Sequence, residues 1–216
     1  MTRPNPIFEE VLGSLPDRQR ELVEAAYAVL EHSSEPVHRQ YLPALQDATS
    51  HERLEQLLRR TGRTLVAVDG LHFTSGFDDT VAAELAMMDW QPLPLVDRAV
   101  LVLVLVYSIA IPRSEELIGP DAWTSPYPTT AGDIFRNSKV PVAEARAALG
   151  RLTASGLLRN VRGGEHEGGY VPGPQLLRLT PSARERLQDQ LILAAAPDHP
   201  LAAVVRERRQ SHQQGV

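Results

Sequence analysis

Leu157–Thr180, LLRNVRGGEHEGGYVPGPQLLRLT, is the stretch whose reading decides the fold. Two β-forming arms, Leu157–Arg162 and Gln175–Leu179, flank a polar tip dense in glycine, the composition of a strand pair closing over a loop. Directly before it, Val142–Ser155 (VAEARAALGRLTAS) reads as a helix, with Pro141 at its first turn and Gly156 past its end. A shorter helix over Thr130–Asn137 precedes that one, and the very apolar Leu95–Ile111 supplies a first. The order is three helices and then a hairpin.

The first half of the chain has the same order. Pro16–Glu31 places Leu22, Val23, Ala26 and Leu30 on one helical face. Val37–Leu45 is expected to form a short second helix. Thr49-x-x-Glu52 has the pattern of a capping box opening a third, Ser50–Thr61, with Leu54, Leu57 and Leu58 pointing inward and Gly62 ending it. Arg63–Val68 and Leu71–Thr74 then flank Asp69-Gly70, the strongest short-range hairpin signal. No residue-level repeat links the halves; the duplication is one of pattern.

In this order of elements, residues 95–196 resemble the winged helix-turn-helix superfamily, and residues 16–196 resemble two such domains in tandem. The resemblance implies a mainly α fold with small β-hairpin wings. The expected organisation is a lead segment 1–15, a first winged-helix domain 16–78, a linker helix and proline-containing joint 79–94, a second winged-helix domain 95–196 and a polar tail 197–216. Within the joint, Asp79–Trp90 reads as a helix that Pro92 and Pro94 stop. Thr180-Pro181 opens a C-terminal helix to about Ala196 with Leu187, Leu191 and Ile192 as its apolar stripe, and Leu201–Val216, with Arg206, Arg208 and Arg209, reads as a frayed tail. An α/β fold is the competing reading, because Ala99–Val106 is apolar enough for a buried parallel strand.

Composition narrows the function. A formal net charge of −5 makes the whole chain a poor partner for phosphates, so any nucleic-acid contact needs a local patch. The absence of cysteine excludes disulfides, zinc-thiolate sites and thiol nucleophiles. The start, MTRPNPIFEEVLG, lacks a continuous apolar stretch, which argues against a secretory signal and for a cytoplasmic protein. Ala99–Ile111 falls short of the ~20 apolar residues that a spanning helix needs, so no membrane association is expected.

Catalytic patterns are missing: there is no phosphate loop, nucleophile elbow or His-Glu-x-x-His pair. Glu165-His166-Glu167 is the nearest thing to a metal cluster, but it sits among glycines at a wing tip that cannot hold ligands rigidly. A non-enzymatic protein with no cofactor and no metal is expected.

The outward face of the Val142–Ser155 helix then becomes the informative surface. With Val142, Ala145, Leu149 and Leu152 turned inward, Ala143, Ala147, Gly150 and Ala154 face out. A base-reading helix usually carries Arg, Asn, Gln or Ser there. This face is bare, so either a partner helix approaches it closely or another part of the chain covers it. Arg136, Lys139, Arg146, Arg151, Arg159 and Arg162 surround it as possible phosphate contacts, positioning a duplex without reading its sequence. Trp123 and Tyr127, in the long connection Ile118–Pro128, either pack over the core or form a docking spot.

Paired winged helices in a small acidic chain resemble the tandem winged-helix subunits that bind kleisins in bacterial SMC chromosome-organising complexes. That resemblance implies dimerisation and protein partners, without placing them on particular residues. The alternative is a winged-helix transcriptional regulator that binds duplex DNA through Lys139, Arg146, Arg151 and Arg162. A toxin or phage-defence accessory is a third reading.

Overall fold

Asn5 starts the first helix by accepting the Ile7 amide on its side-chain oxygen at 3.0 Å, with Pro6 in the first turn where no N–H is needed. The computed structural model describes residues 5–88, 93–162, 168–195, 203, 205–207 and 210. The chain is mainly helical with small antiparallel sheets. It forms two units: Met1–Gln91 with Leu177–Thr180, and Pro92–Leu176 with Pro181–Val216.

In the first unit, α1 (Pro6–Leu12) lies inside the expected lead segment and buries Val11 and Leu12 in the core. Seven residues are too few to display a helical period, which is why the sequence hides it. α2 (Asp17–His32) buries Val23, Ala26 and Leu30 on the expected face. Val37–Leu45 is not a helix. It divides into β1 (Val37–His38) and two 3₁₀ turns, Arg39–Tyr41 and Pro43–Leu45. Pro43 explains the break, since its ring disfavours helical backbone at Leu42 and it has no N–H to continue a ladder.

α3 (Ala48–Arg60) is capped by Asp47 rather than Thr49; the Asp47 carboxylate accepts the Ser50 amide at 2.8 Å and the Ser50 hydroxyl at 2.7 Å. Leu54, Leu57 and Leu58 are fully buried, as expected. β2 (Arg63–Ala67) and β3 (His72–Phe77) form the hairpin, closed by the Val68 amide donating to the His72 carbonyl, so its connection is one residue longer than Asp69-Gly70. β1 pairs antiparallel with the outer edge of β3, giving the order β1–β3–β2.

α4 (Asp79–Met87), expected in the linker, lies within the first unit. So do Leu177–Thr180, which the sequence assigned to a distant hairpin. Arg178 is their anchor. Its Nη1 donates to the Ser75 carbonyl and hydroxyl, both at 3.0 Å, and its Nη2 to the Ser33 carbonyl at 2.6 Å. Ser33 caps the C-terminus of α2, where a cation complements the helix dipole. Burial, and then the neighbouring Arg63, hold the Arg178 guanidinium pKa below its ordinary value, while Glu31 works the other way. Thr180 donates its hydroxyl to Asp79 at 2.7 Å. Gly76 makes the approach possible, because a Cβ there would meet the Arg178 carbonyl at 2.1 Å.

In the second unit, α5 (Leu95–Leu105) passes through a π-turn, Val106–Ala110, into α6 (Ile111–Ser114). Ala99–Val106 is therefore helical and the α/β alternative is overturned. Pro112 accounts for the π-turn: it has no N–H for the Ser108 carbonyl, and its ring would crowd that group in a regular turn. The Ser108 hydroxyl donates instead to the Val104 carbonyl at 2.6 Å. Leu95–Ser114 is long and apolar enough to cross a membrane by length and composition, and Val100, Val104, Leu105 and Ile109 on it are buried within the protein.

The Thr129 amide and carbonyl both pair with Tyr170 at 2.9 Å. α7 (Ala131–Asn137) follows, with a capping box between Thr130 and Asp133. Next come α8 (Val142–Ala154), β4 (Leu158–Val161) and β5 (Gly169–Pro172). Gly156, at φ +73°, ends α8 in a left-handed turn in which the Leu157 amide reaches back to the Leu152 carbonyl. The return arm of the hairpin is Gly169–Pro172, not Gln175–Leu179. Pro172 and Pro174 cannot donate to a ladder, and Pro174 opens a turn of helix, α9 (Pro174–Leu177).

α10 (Pro181–Ala195) buries Leu191, with Leu187 and Ile192 half-buried. The expected frayed tail is corrected in part: residues 203, 205–207 and 210 are helical and Val205 is buried. Trp90, the expected joint residues Gln91 and Pro92, the wing-tip Glu165-His166-Glu167, and Arg208 and Arg209 lie outside the described residues.

Candidate functional site

α8 is held by its inner face. Ala145, Ala148, Leu149 and Leu152 pack with Val100, Val104 and Ile134 in the core of the second unit. Val142 departs from the expected inward set; it stands at the first turn of α8 and is 45% exposed. Ala143, Ala147, Gly150 and Ala154 are all exposed, so among the described residues no part of the chain covers them. A Cβ built at Gly150 meets nothing within 4 Å.

The cations around this face are not equivalent. Arg151 donates through Nε to Asp97 Oδ2 at 3.0 Å and through Nη2 to Asp97 Oδ1 at 2.6 Å. Asp97 stands at the start of α5 and its side chain is 3% exposed, so this fork joins α5 to α8. The pair raises the Arg151 pKa, chiefly through the side-chain hydrogen bond to Asp97. Arg151 thus ties α8 to α5, an engagement that its place in the sequence did not announce.

Arg136 is committed to Asp133 at 2.6 Å. Asp133 in turn has its pKa lowered by the Thr130 hydroxyl and then by Arg136, against a cost of partial burial. Arg146 lies over the Phe135 ring at 5.6 Å. Lys139, Arg159 and Arg162 are exposed on the α7–α8 connection, on β4 and just after it. With Arg136 and Arg151 drawn into ion pairs, the exposed cations form a thin basic fringe around an uncharged strip.

Trp123 and Tyr127 separate. Trp123 is 6% exposed and packs under the Arg113 guanidinium, 5.6 Å from its ring centre, so it covers the core and offers no docking spot. Tyr127 is 39% exposed. Arg113 also donates to the Ala122 carbonyl at 2.6 Å and to Gln188 at 3.0 Å, pinning the long connection to α10.

A second cluster is one the sequence did not suggest. His38 on β1 and His72 on β3 are register partners with ring centres 5.1 Å apart, and Tyr41 stands 6.4 Å from His38. No spacing rule connects positions that meet only through strand pairing. Among the described residues no group of three or more His, Asp or Glu side chains is arranged to hold a metal.

No family model and no curated protein matches the sequence. A crystal structure of a conserved hypothetical protein from Chlorobium tepidum is similar at 15% identity and a TM-score of 0.31, over 73% of this chain and 94% of that one, a likeness too low to carry an argument.

Proposed function

We propose that each unit is a winged helix and that the chain is a non-enzymatic assembly subunit of a chromosome-associated complex of the SMC–kleisin kind, working through protein contacts with at most non-specific DNA binding. The order of elements supports the fold reading. Each unit runs helix, short β contact, short helical segment, longer helix and hairpin, and the return strand of each hairpin pairs with the earlier contact. In that arrangement α8 occupies the position of a recognition helix.

The observation that carries the functional reading is the exposed face of Ala143, Ala147, Gly150 and Ala154, which has no side chain able to reach a base edge. Its flanking Arg136 and Arg151 are engaged within the chain. A helix face of this kind lets another backbone approach closely, which suits a protein partner or a second copy better than a duplex.

The test is purification of the tagged, full-length protein from its own host after nuclease treatment. Recovery of a long coiled-coil ATPase with a kleisin-like chain, lost in Ala147→Glu at unchanged thermal stability, is the expected result. A protein that returns alone, having carried only duplex DNA before nuclease, supports the transcriptional regulator instead; exposed Lys139 and Arg146 would then carry the contacts.

A further inference from the structure

β2 lies at the open side of the order β1–β3–β2, and the backbone bonds fix which of its groups face outward. The Val68 amide donates to the His72 carbonyl at 2.9 Å, and the Asp78 amide donates to the Gly62 carbonyl at 3.0 Å, just beyond either end of the β2–β3 register. Bonded pairs alternate along an antiparallel ladder, so Gly62, Thr64, Val66 and Val68 turn their backbone groups to β3. The amides and carbonyls of Arg63, Leu65 and Ala67 then point away from the sheet, and among the described residues none of them has a partner.

Both faces of this sheet are occupied. Leu65 and Phe73 pack against the first core. On the other face, a Cβ at Gly76 would meet Val66 and the Arg178 carbonyl, and one at Gly62 would meet Val81 of α4. The edge stays bare, with Ala67 exposed on it. Natural edges are normally protected by lysine, proline, a bulge or shortness. β2 has none of these: Arg63–Ala67 reads RTLVA and pairs with β3 residue for residue, without a bulge. Its one charge is turned inward, with Arg63 Nε donating to Glu31 at 3.1 Å and the guanidinium over the Phe77 ring at 4.4 Å. The edge strand of the other hairpin, β4, carries exposed Arg159 and is followed by exposed Arg162.

We infer that the open edge of β2 pairs antiparallel with β2 of a second copy of this chain, about a twofold axis at Leu65, joining two sheets into one in the order β1–β3–β2–β2–β3–β1. In that register Arg63 faces Ala67 of the second copy and Leu65 faces Leu65, so every outward amide and carbonyl gains a partner from an identical set. Charge selects the direction. Antiparallel pairing lays the basic start of the strand, Arg63 after Arg59 and Arg60 at the end of α3, toward Asp69 at the tip of the other hairpin. Parallel pairing would set Arg63 beside Arg63, and like charges opposite one another destabilise a strand pair. An extended segment of another protein would meet the same backbone, but only a second copy brings its own Leu65 and the matching run from Arg63 to Asp69. The inference rests on the sheet order and not on the winged-helix reading or the α8 face.

Sedimentation of the full-length chain, joined with amide hydrogen exchange by NMR, tests it. The mass at high concentration is expected to be twice that of one chain, and the Leu65 and Ala67 amides to exchange about tenfold more slowly there than on dilution. Ala67→Pro removes an outward amide and no bond to β3, so a folded monomer is expected. Should Ala67→Pro fail to fold, Ala67→Lys keeps every amide and sets a cation against Arg63 of the second copy, and is expected to raise the dimer dissociation constant about tenfold. A chain that stays monomeric at every concentration overturns the inference and leaves the edge to an extended segment of another protein. A dimer in which Leu65 and Ala67 exchange freely, or one undiminished in either variant, overturns it as well. The reading of the α8 face is tested separately, by Ala147→Glu.

Discussion

Asp97 and Arg151 form a two-pronged ion pair in which the acid is almost fully buried and the base is half-exposed, with side-chain exposures of 3% and 54%. The asymmetry decides which partner is the costlier to lose. Removing Arg151 leaves an unpaired carboxylate in the interior, whereas removing Asp97 leaves a guanidinium that water can reach. Arg151→Ala is therefore expected to lower Tm more than Asp97→Ala, and the double variant to recover part of the loss. Thermal unfolding of the three variants checks the order.

Glu116 is the one described non-glycine residue at positive φ, 59°. It follows α6 in a left-handed turn where the Leu117 amide donates to the Pro112 carbonyl at 2.8 Å and the Glu116 amide to the Arg113 carbonyl at 3.2 Å. Glycine favours this position. Glu116→Gly is expected to stabilise the chain by about 1 kcal/mol, read as a higher urea midpoint at unchanged slope.

Gly76→Ala is expected to destabilise the first unit by about 2 kcal/mol, because the added methyl meets the Arg178 backbone, which has no rotamer to escape into. Arg178→Met removes the donors while keeping the apolar stem, and frees the carbonyls of Ser33 and Ser75. Both variants are expected to speed cleavage near residue 178 in limited proteolysis.

Asp133 supplies a pH dependence. Hydrogen bonds from Thr130 and Arg136 favour its charged form in the folded state. Its contribution is fully present above the unfolded carboxylate pKa, ~3.9, and is lost as pH falls through the lower folded value. The stability of the native chain is expected to fall below about pH 4, and the fall to be shallower in Asp133→Asn. Chemical unfolding at pH 6, 4 and 3 measures both, each pH being a choice about the ~3.9 reference.

The elements legible in the sequence are those set by nearby residues: α2 and α8 by apolar spacing, the first hairpin by Asp69-Gly70, and the end of α8 by Gly156. The misreadings arise where a neighbour along the chain loses to a neighbour in space. Thr49-x-x-Glu52 has the pattern of a cap, yet Asp47 takes the Ser50 amide. Gln175–Leu179 has strand composition, yet its flanking prolines and the pull of Arg178 toward Ser75 take it out of the hairpin. The bare face of α8 was readable because a helix fixes which side chains share a side. The engagement of Arg151 was not, because its partner lies on another helix, and the His38–His72 contact depends on a register that no local pattern announces.

The placement of Leu177–Thr180 in the first unit sets a timetable during synthesis. Residues up to Gln91 leave the ribosome early, but Ser33, Ser75 and Asp79 meet Arg178 and Thr180 only after the whole stretch encoding α5 to β5 has followed. At typical elongation rates that is a delay of roughly 5 to 20 s in which the nascent first unit lacks the hydrogen bonds that Arg178 and Thr180 supply. The backbone beside Gly76 is therefore covered only once residue 180 has emerged.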